Sequence, residues 1–129
     1  MKVLWLCTKV FFAAFFINLL WENLHAFLYL HNQGGFVSEL VLLRATLVDA
    51  VIILVAFSFS RAMPERYRTM FIILTLFVVA ILIERWALST NRWAYSDLMP
   101  ILPILNSGLT PTIQLAATAW CSIWISSRK

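Results

Sequence analysis

Residues 37–60, VSELVLLRATLVDAVIILVAFSFS, form an apolar run with the length of a membrane-spanning helix. A helix needs about 20 predominantly apolar residues to cross a hydrocarbon core of about 30 Å. Similar runs occupy residues 3–30, 69–88 and 110–126. We therefore predict an all-α fold with four transmembrane helices at these positions, in a single domain that covers residues 1–129.

The composition of the chain agrees with a membrane protein. Hydrophobic residues make up 62% of it and charged residues only 12%, whereas a soluble domain carries about 25% charged residues. A water-soluble fold of this size buries only about two-thirds of its surface, too little to hide so much apolar material. The net charge of +4 is dispersed or gathered at helix ends, so it does not indicate nucleic-acid binding.

The basic residues predict how the four helices are oriented. Seven of them fall on one side of a four-span arrangement: Lys2, Lys9, Arg61, Arg66, Arg68, Arg128 and Lys129. The opposite side receives only Arg85 and Arg92, and basic residues favour the cytoplasmic side. We expect a multi-pass protein of the inner (plasma) membrane with both termini in the cytoplasm. The loop over residues 89–109, with its prolines and apolar side chains, is then external and interfacial.

Ionisable side chains inside the predicted helices are the most informative feature of the sequence. Such groups are costly in a membrane and by default mark a functional site. Asn18, Glu22 and His25 are spaced by four and three residues, which places them on one helix face. At about 1.5 Å of rise per residue, the polar groups of all four helices reach the outer half of the membrane. Their uneven distribution across the membrane favours a pocket in that half.

Two interpretations of these groups remain open. In one, they pair with each other and fix the register of the helices. In the other, they line a pocket for a ligand, beneath residues 93–105. The predicted ligand-binding residues are Asn18, Glu22, His25, Arg44, Asp49, Glu84, Trp93, Tyr95 and Gln114. The candidates for acid/base catalysis are Glu22, His25, Asp49 and Glu84.

Charge balance within this cluster leads to two further expectations. Arg44 should pair with a carboxylate, because an unpaired guanidinium in hydrocarbon costs several kcal/mol. Arg44 and Arg85 would then supply two cations for the carboxyls of Glu22, Asp49 and Glu84. We expect the remaining carboxyl to be protonated or to share a proton with His25.

Three stretches together resemble a family of small bacterial four-helix integral membrane proteins whose function is not characterised. They are residues 18–25 (NLLWENLH) with Leu28 and Tyr29, residues 93–95 (WAY) with Met99 and Pro100, and residues 108–114 (GLTPTIQ). The resemblance spans most of the chain and implies the same four-helix membrane architecture. It carries no expectation about chemistry.

A second resemblance, to the small lycopene cyclase domain of carotenoid synthesis, rests on fewer residues. That domain has an acidic residue near a helix end, a Trp-x-Tyr motif and a later proline-acid motif. Glu84, residues 93–95 and residues 111–114 follow in the same order here, but Gln114 stands where that domain has an acid. The resemblance implies acid/base chemistry on an isoprenoid, and the departure at Gln114 removes one of the expected acids.

The sequence thus predicts a membrane protein that binds a lipophilic ligand or a partner through a polar pocket. An acid/base enzyme acting on a lipid or isoprenoid, and a subunit of a channel or transporter, remain alternatives. The expected partners are membrane lipid or a lipophilic small molecule, with a homo-oligomer or another membrane protein as alternatives. No nucleic acid, cofactor or metal is predicted.

Overall fold

A computed structural model describes residues 1–128 of the chain, and α-helices dominate this part. The four helices are α1 (Lys2–His25), α2 (Glu39–Ser60), α3 (Glu65–Ser89) and α4 (Leu109–Ser127). The short strands between them are β1 (Tyr29–Asn32), β2 (Trp93–Tyr95), β3 (Ile101–Leu102) and β4 (Ser107–Gly108). The first three helices are long and apolar enough to cross a membrane. The helical class is confirmed, and three of the four helices have the length and composition of membrane spans.

The fourth helix is more polar because its buried face carries hydroxyl groups. Thr118 donates to the Gln114 carbonyl at 2.8 Å and Ser122 donates to the Thr118 carbonyl at 2.6 Å, so these hydroxyls are satisfied within the helix. Small hydroxyl residues at helix interfaces let helices approach closely in membranes. The outer face of α4 is apolar, with Trp120 and Trp124 exposed.

The helices pack as a bundle in which one seam is looser than the others. Helix α1 packs extensively against α2 and α4, and α4 against α3, whereas α2 and α3 contact each other less. Alanines at the crossings, such as Ala14, Ala50 and Ala119, are fully buried and allow close packing. Large apolar side chains face outward from every helix, as expected of helices that meet lipid.

The strands change the predicted boundary of the first helix. Helix α1 ends at His25 rather than at residue 30, a single 3-10 turn follows, and β1 pairs antiparallel with β2. The backbone groups of Tyr29–Asn32 therefore bond to a segment more than 60 residues away. Helix α2 begins two residues later than predicted, where Ser38 accepts a hydrogen bond from the Val41 N–H.

The twice-proline part of the long loop forms a second small hairpin, in which β3 pairs with β4. Its Met99 side chain is buried against Gly108. A Cβ at position 108 would lie 2.7 Å from the Met99 sulfur and 3.0 Å from Pro111 Cγ, so any larger residue there would displace the Met99 side chain. All four strands lie where α1 and α3 end and α2 and α4 begin, which we call the strand end of the bundle.

Candidate functional site

Gln114 on α4 joins three helices at the strand end. Its Nε2 lies 2.6 Å from Glu22 Oε1, 2.7 Å from Asp49 Oδ2 and 3.2 Å from Asn18 Oδ1. An amide nitrogen carries two hydrogens, so three acceptors compete for them and the two carboxyl oxygens are the nearer ones. Those two oxygens are at most about 5.3 Å apart, because both bond to the same nitrogen.

A second branch of the network begins at the other oxygen of Glu22. His25 Nε2 lies 3.3 Å from Glu22 Oε2, and His25 Nδ1 lies 3.3 Å from Thr110 Oγ1. Thr110 in turn donates towards the Met99 sulfur at 3.5 Å, so its oxygen is free to accept from the imidazole. The pair of Glu22 and His25 is thus close enough to share one proton.

The third carboxyl ties α3 to the loop between α3 and α4. Glu84 Oε2 accepts a hydrogen bond from Trp93 Nε1 at 3.3 Å and a short one from the Tyr95 hydroxyl. The Tyr95 oxygen accepts from the Gly108 N–H at 2.9 Å, so its own proton points to Glu84. Through this series of hydrogen bonds, Glu84 holds β2 and the start of α4 in place.

These groups surround a cavity of about 120 Å³ at the strand end. Its polar wall includes Glu22, Asp49, Glu84 and Gln114, and its aromatic wall includes Tyr29 and Trp93. The remaining lining is largely apolar and comes mainly from the facing sides of α2 and α3: Val41, Leu42, Ala45, Ala80 and Ile83, with Val37, Pro111 and Leu115 nearby. The cavity therefore borders the looser seam between α2 and α3.

The structure brings eight of the nine predicted ligand-binding residues into one network or around one cavity. Glu22, Asp49, Glu84, Trp93 and Gln114 line the cavity directly. Asn18, His25 and Tyr95 bond to lining residues from behind. Of residues 93–105, only Trp93 lines the cavity, so the apolar hairpin β3–β4 does not cover it directly.

The prediction that Arg44 has a carboxylate partner is wrong. In the described part of the chain Arg44 forms no ion pair, and its side chain is exposed on α2 beside Leu43 and Leu47. The packed face of α2 carries Leu42, Thr46 and Ala50 instead. Arg44 lies little more than one turn from the start of α2, so its long side chain can reach the membrane surface. Arg85 is also exposed, so neither arginine neutralises the cluster.

Sequence reasoning missed several residues of the site. Tyr29 lines the cavity from β1 and stacks edge-on against His25 and Trp93, at centroid distances of 5.5 Å and 6.3 Å. It continues the spacing of Asn18, Glu22 and His25, and that signal could have found it. Thr110 precedes Gln114 by four residues on the same helix face, which was a second available signal. His31 and Asn32 reach the cavity only through strand pairing.

Two tyrosines of the site hold their protons firmly. Burial raises the pKa of Tyr95 well above its ordinary value, and the hydrogen bond to Glu84 raises it further. Burial also raises the pKa of Tyr29, with the charge of Glu84 as the next cause. Both phenols are therefore neutral hydrogen-bonding groups at physiological pH.

These raised pKa values predict a loss of stability at high pH. Above about pH 10 an unfolded tyrosine releases its proton while the folded one keeps it, so rising pH favours the unfolded chain. The stabilisation is complete below that pH and is lost as the pH rises through the folded-state pKa of each tyrosine. Thermal unfolding of Tyr95→Phe should depend less on pH above 10 than that of Tyr67→Phe, whose ring is exposed. Identical pH profiles would contradict the prediction.

Comparisons of the chain with protein-family models, curated proteins and solved structures give no match. The site must therefore be interpreted from its own geometry.

Proposed function

We propose that this chain is an integral membrane protein whose cavity at the strand end binds the polar head of a lipophilic ligand. The observation that carries the proposal is the cavity itself, which has three carboxyls on one side and apolar side chains of α2 and α3 on the other. Pockets with a few convergent polar groups in an apolar wall are the usual form of small-molecule sites.

The size of the cavity indicates which part of the ligand it holds. Its volume of about 120 Å³ is below the roughly 300–1,000 Å³ of sites that enclose a drug-sized molecule. A head group of a few atoms fits, and the apolar remainder would leave between α2 and α3 into the surrounding lipid. The looser packing of that seam supports this path.

Filling the cavity tests the proposal. Ala45 lines the cavity, and a phenylalanine there would occupy much of its volume. Val48 lies on the same helix but is 55% exposed on the outer face, so Val48→Phe adds an aromatic ring outside the site. We expect small molecules that co-purify with the wild type and Val48→Phe to be absent from Ala45→Phe, as measured by native mass spectrometry. Equal small-molecule content in all three proteins would refute the proposal.

We further propose that α4 is a fourth membrane span and that both termini are cytoplasmic. The outward side chains of α4 are apolar, and its polar ones are buried in the bundle. Basic residues gather at the end opposite the strands. A reporter fused after Lys129 should behave as cytoplasmic, and one inserted in the loop of residues 89–109 as external. An external C-terminal reporter would refute the four-span arrangement.

An acid/base enzyme is the second candidate, and one contact favours it. The hydrogen bond between Glu22 and His25 places a proton donor and acceptor pair beside the cavity. Under this alternative, Glu22→Gln would leave ligand binding nearly intact and abolish turnover of the bound molecule. A channel is supported less, because Val10, Ile53 and Leu76 close the core beyond the cavity and are almost fully buried.

A further inference from the structure

We propose that the head group held in the cavity is a cation that carries N–H donors, a protonated amine. This inference rests on the proposed function and names the class of ligand that the same site would take. Three independent features carry it: the charge balance of the lining, an unpartnered carboxyl oxygen and the aromatic walls.

The charge balance leaves two carboxyls without a cation. No lysine or arginine in residues 1–128 pairs with Glu22, Asp49 or Glu84, and Arg44 and Arg85 are exposed away from them. His25 bonds to Glu22 and can balance one charge. Isolated charges in a low-dielectric interior are costly, so Asp49 and Glu84 need either protons or an external cation.

The second histidine of the site does not fill this need. His31 lines the cavity, but its Nδ1 accepts a hydrogen bond from the Gly34 N–H at 3.2 Å. His31 forms no ion pair with Glu22, Asp49 or Glu84 within residues 1–128.

Glu84 also has a carboxyl oxygen that no donor within residues 1–128 satisfies. The residue is only 5% exposed, and both of its donors, Trp93 and Tyr95, bond to Oε2. Oε1 accepts no hydrogen bond within the described residues, although Glu84 lines the cavity. This oxygen is accessible rather than buried, so a donor on a ligand in the cavity could form a hydrogen bond to it.

The aromatic walls suit a cation more than a neutral or anionic group. Tyr29 and Trp93 line the cavity together with Glu84, and their rings stand nearly perpendicular to each other. Aromatic faces attract ammonium groups, and the attraction is strongest where water is excluded. An anionic head group would instead meet three carboxyls at short range.

A built-in ammonium tests the charge preference without knowledge of the natural ligand. In Ala45→Lys the new side chain enters the cavity one helical turn from Asp49, while Ala45→Met adds a similar length without charge. We expect the Tm of Ala45→Lys to exceed that of Ala45→Met by about 4 °C at pH 7. A Tm equal to or below that of Ala45→Met, or failure of the lysine variant alone to fold, would overturn the proposal.

Direct binding separates the ligand class from the existence of the site. The probes are dodecylammonium, 1-dodecanol and dodecyl sulfate, each below its micellar concentration, with wild-type protein in zwitterionic nanodiscs. We expect the ammonium to bind at least about tenfold more tightly than the alcohol, and Glu84→Gln to remove most of that difference. If the ammonium and the alcohol bind equally and Ala45→Phe abolishes the binding of both, the cationic head group is refuted but the proposed function stands. If Ala45→Phe changes the binding of none of the three probes, both the cationic head group and the proposed function are refuted.

Discussion

Replacing Gln114 with leucine should lower the free energy of unfolding by about 3 kcal/mol, because several buried acceptors lose their donor at once. The Gln114 amide bonds to Glu22 and Asp49 at 2.6 and 2.7 Å and lies within reach of Asn18. Hydrogen bonds between membrane helices average only about 0.6 kcal/mol each. Most of the expected loss therefore comes from bringing two neighbouring carboxyls face to face without the amide between them.

The control for this prediction is Asn23→Leu. Asn23 is also an amide, but it is exposed on α1 and bonds only to the Leu19 carbonyl of its own helix. Reversible unfolding in mixed micelles should show a change of less than about 1 kcal/mol for this variant. A Gln114→Leu protein as stable as the control would mean that the network does not join the helices.

Replacing Glu84 with leucine should release the strand end from the bundle. Trp93 and Tyr95 would lose their common acceptor, and Tyr95 would no longer be held against the Gly108 N–H. Two lost hydrogen bonds to a carboxyl correspond to about 2–3 kcal/mol of local stability. Amide hydrogen exchange in Trp93–Tyr95 and Ser107–Gly108 should then accelerate by roughly thirtyfold to a hundredfold or more.

Glu65→Leu is the matched variant at the other end of the same helix. Glu65 is exposed in the first turn of α3, where it contributes less than about 1 kcal/mol through the helix dipole. Exchange at the strand end should be unchanged in this protein. If Glu84→Leu also left exchange unchanged there, Glu84 would not anchor the loop.

The helices and the position of the polar cluster along them were predictable because both depend on local spacing. Runs of about 20 apolar residues predict long apolar helices, and a rise of about 1.5 Å per residue sets the height of Glu22, Asp49 and Glu84 along their helices. Antiparallel helices then bring these residues to the same end of the bundle. The spacing of Asn18, Glu22 and His25 also predicted their common face.

The free-energy cost of an unpaired guanidinium in hydrocarbon did not by itself predict which way Arg44 points. The prediction assumed that an arginine in hydrocarbon requires a carboxylate partner, but Arg44 lies on the exposed face of α2. Packing of Thr46 and Ala50 against the bundle turns Asp49 inward and Arg44 outward. A lysine or arginine near a helix end escapes the membrane at low cost, so its charge does not require a partner.

The strands could not be predicted because they depend on a distant partner. Tyr29 and Leu30 continue the apolar pattern of residues 3–30, and only pairing with Trp93–Tyr95 favours the extended conformation. That pairing brings Tyr29 and Trp93 to the cavity together, so the aromatic wall is a product of tertiary structure.

A crystal structure of the protein grown from a lipid phase, without prior delipidation, tests the central claim most directly. The claim predicts elongated density with its head within about 4 Å of the Asp49 and Glu84 carboxyls and its tail between α2 and α3. A cavity that holds only water, or carboxyls of Glu22 and Glu84 more than about 12 Å apart on unrelated faces, would contradict it, since charge coupling fades over that distance.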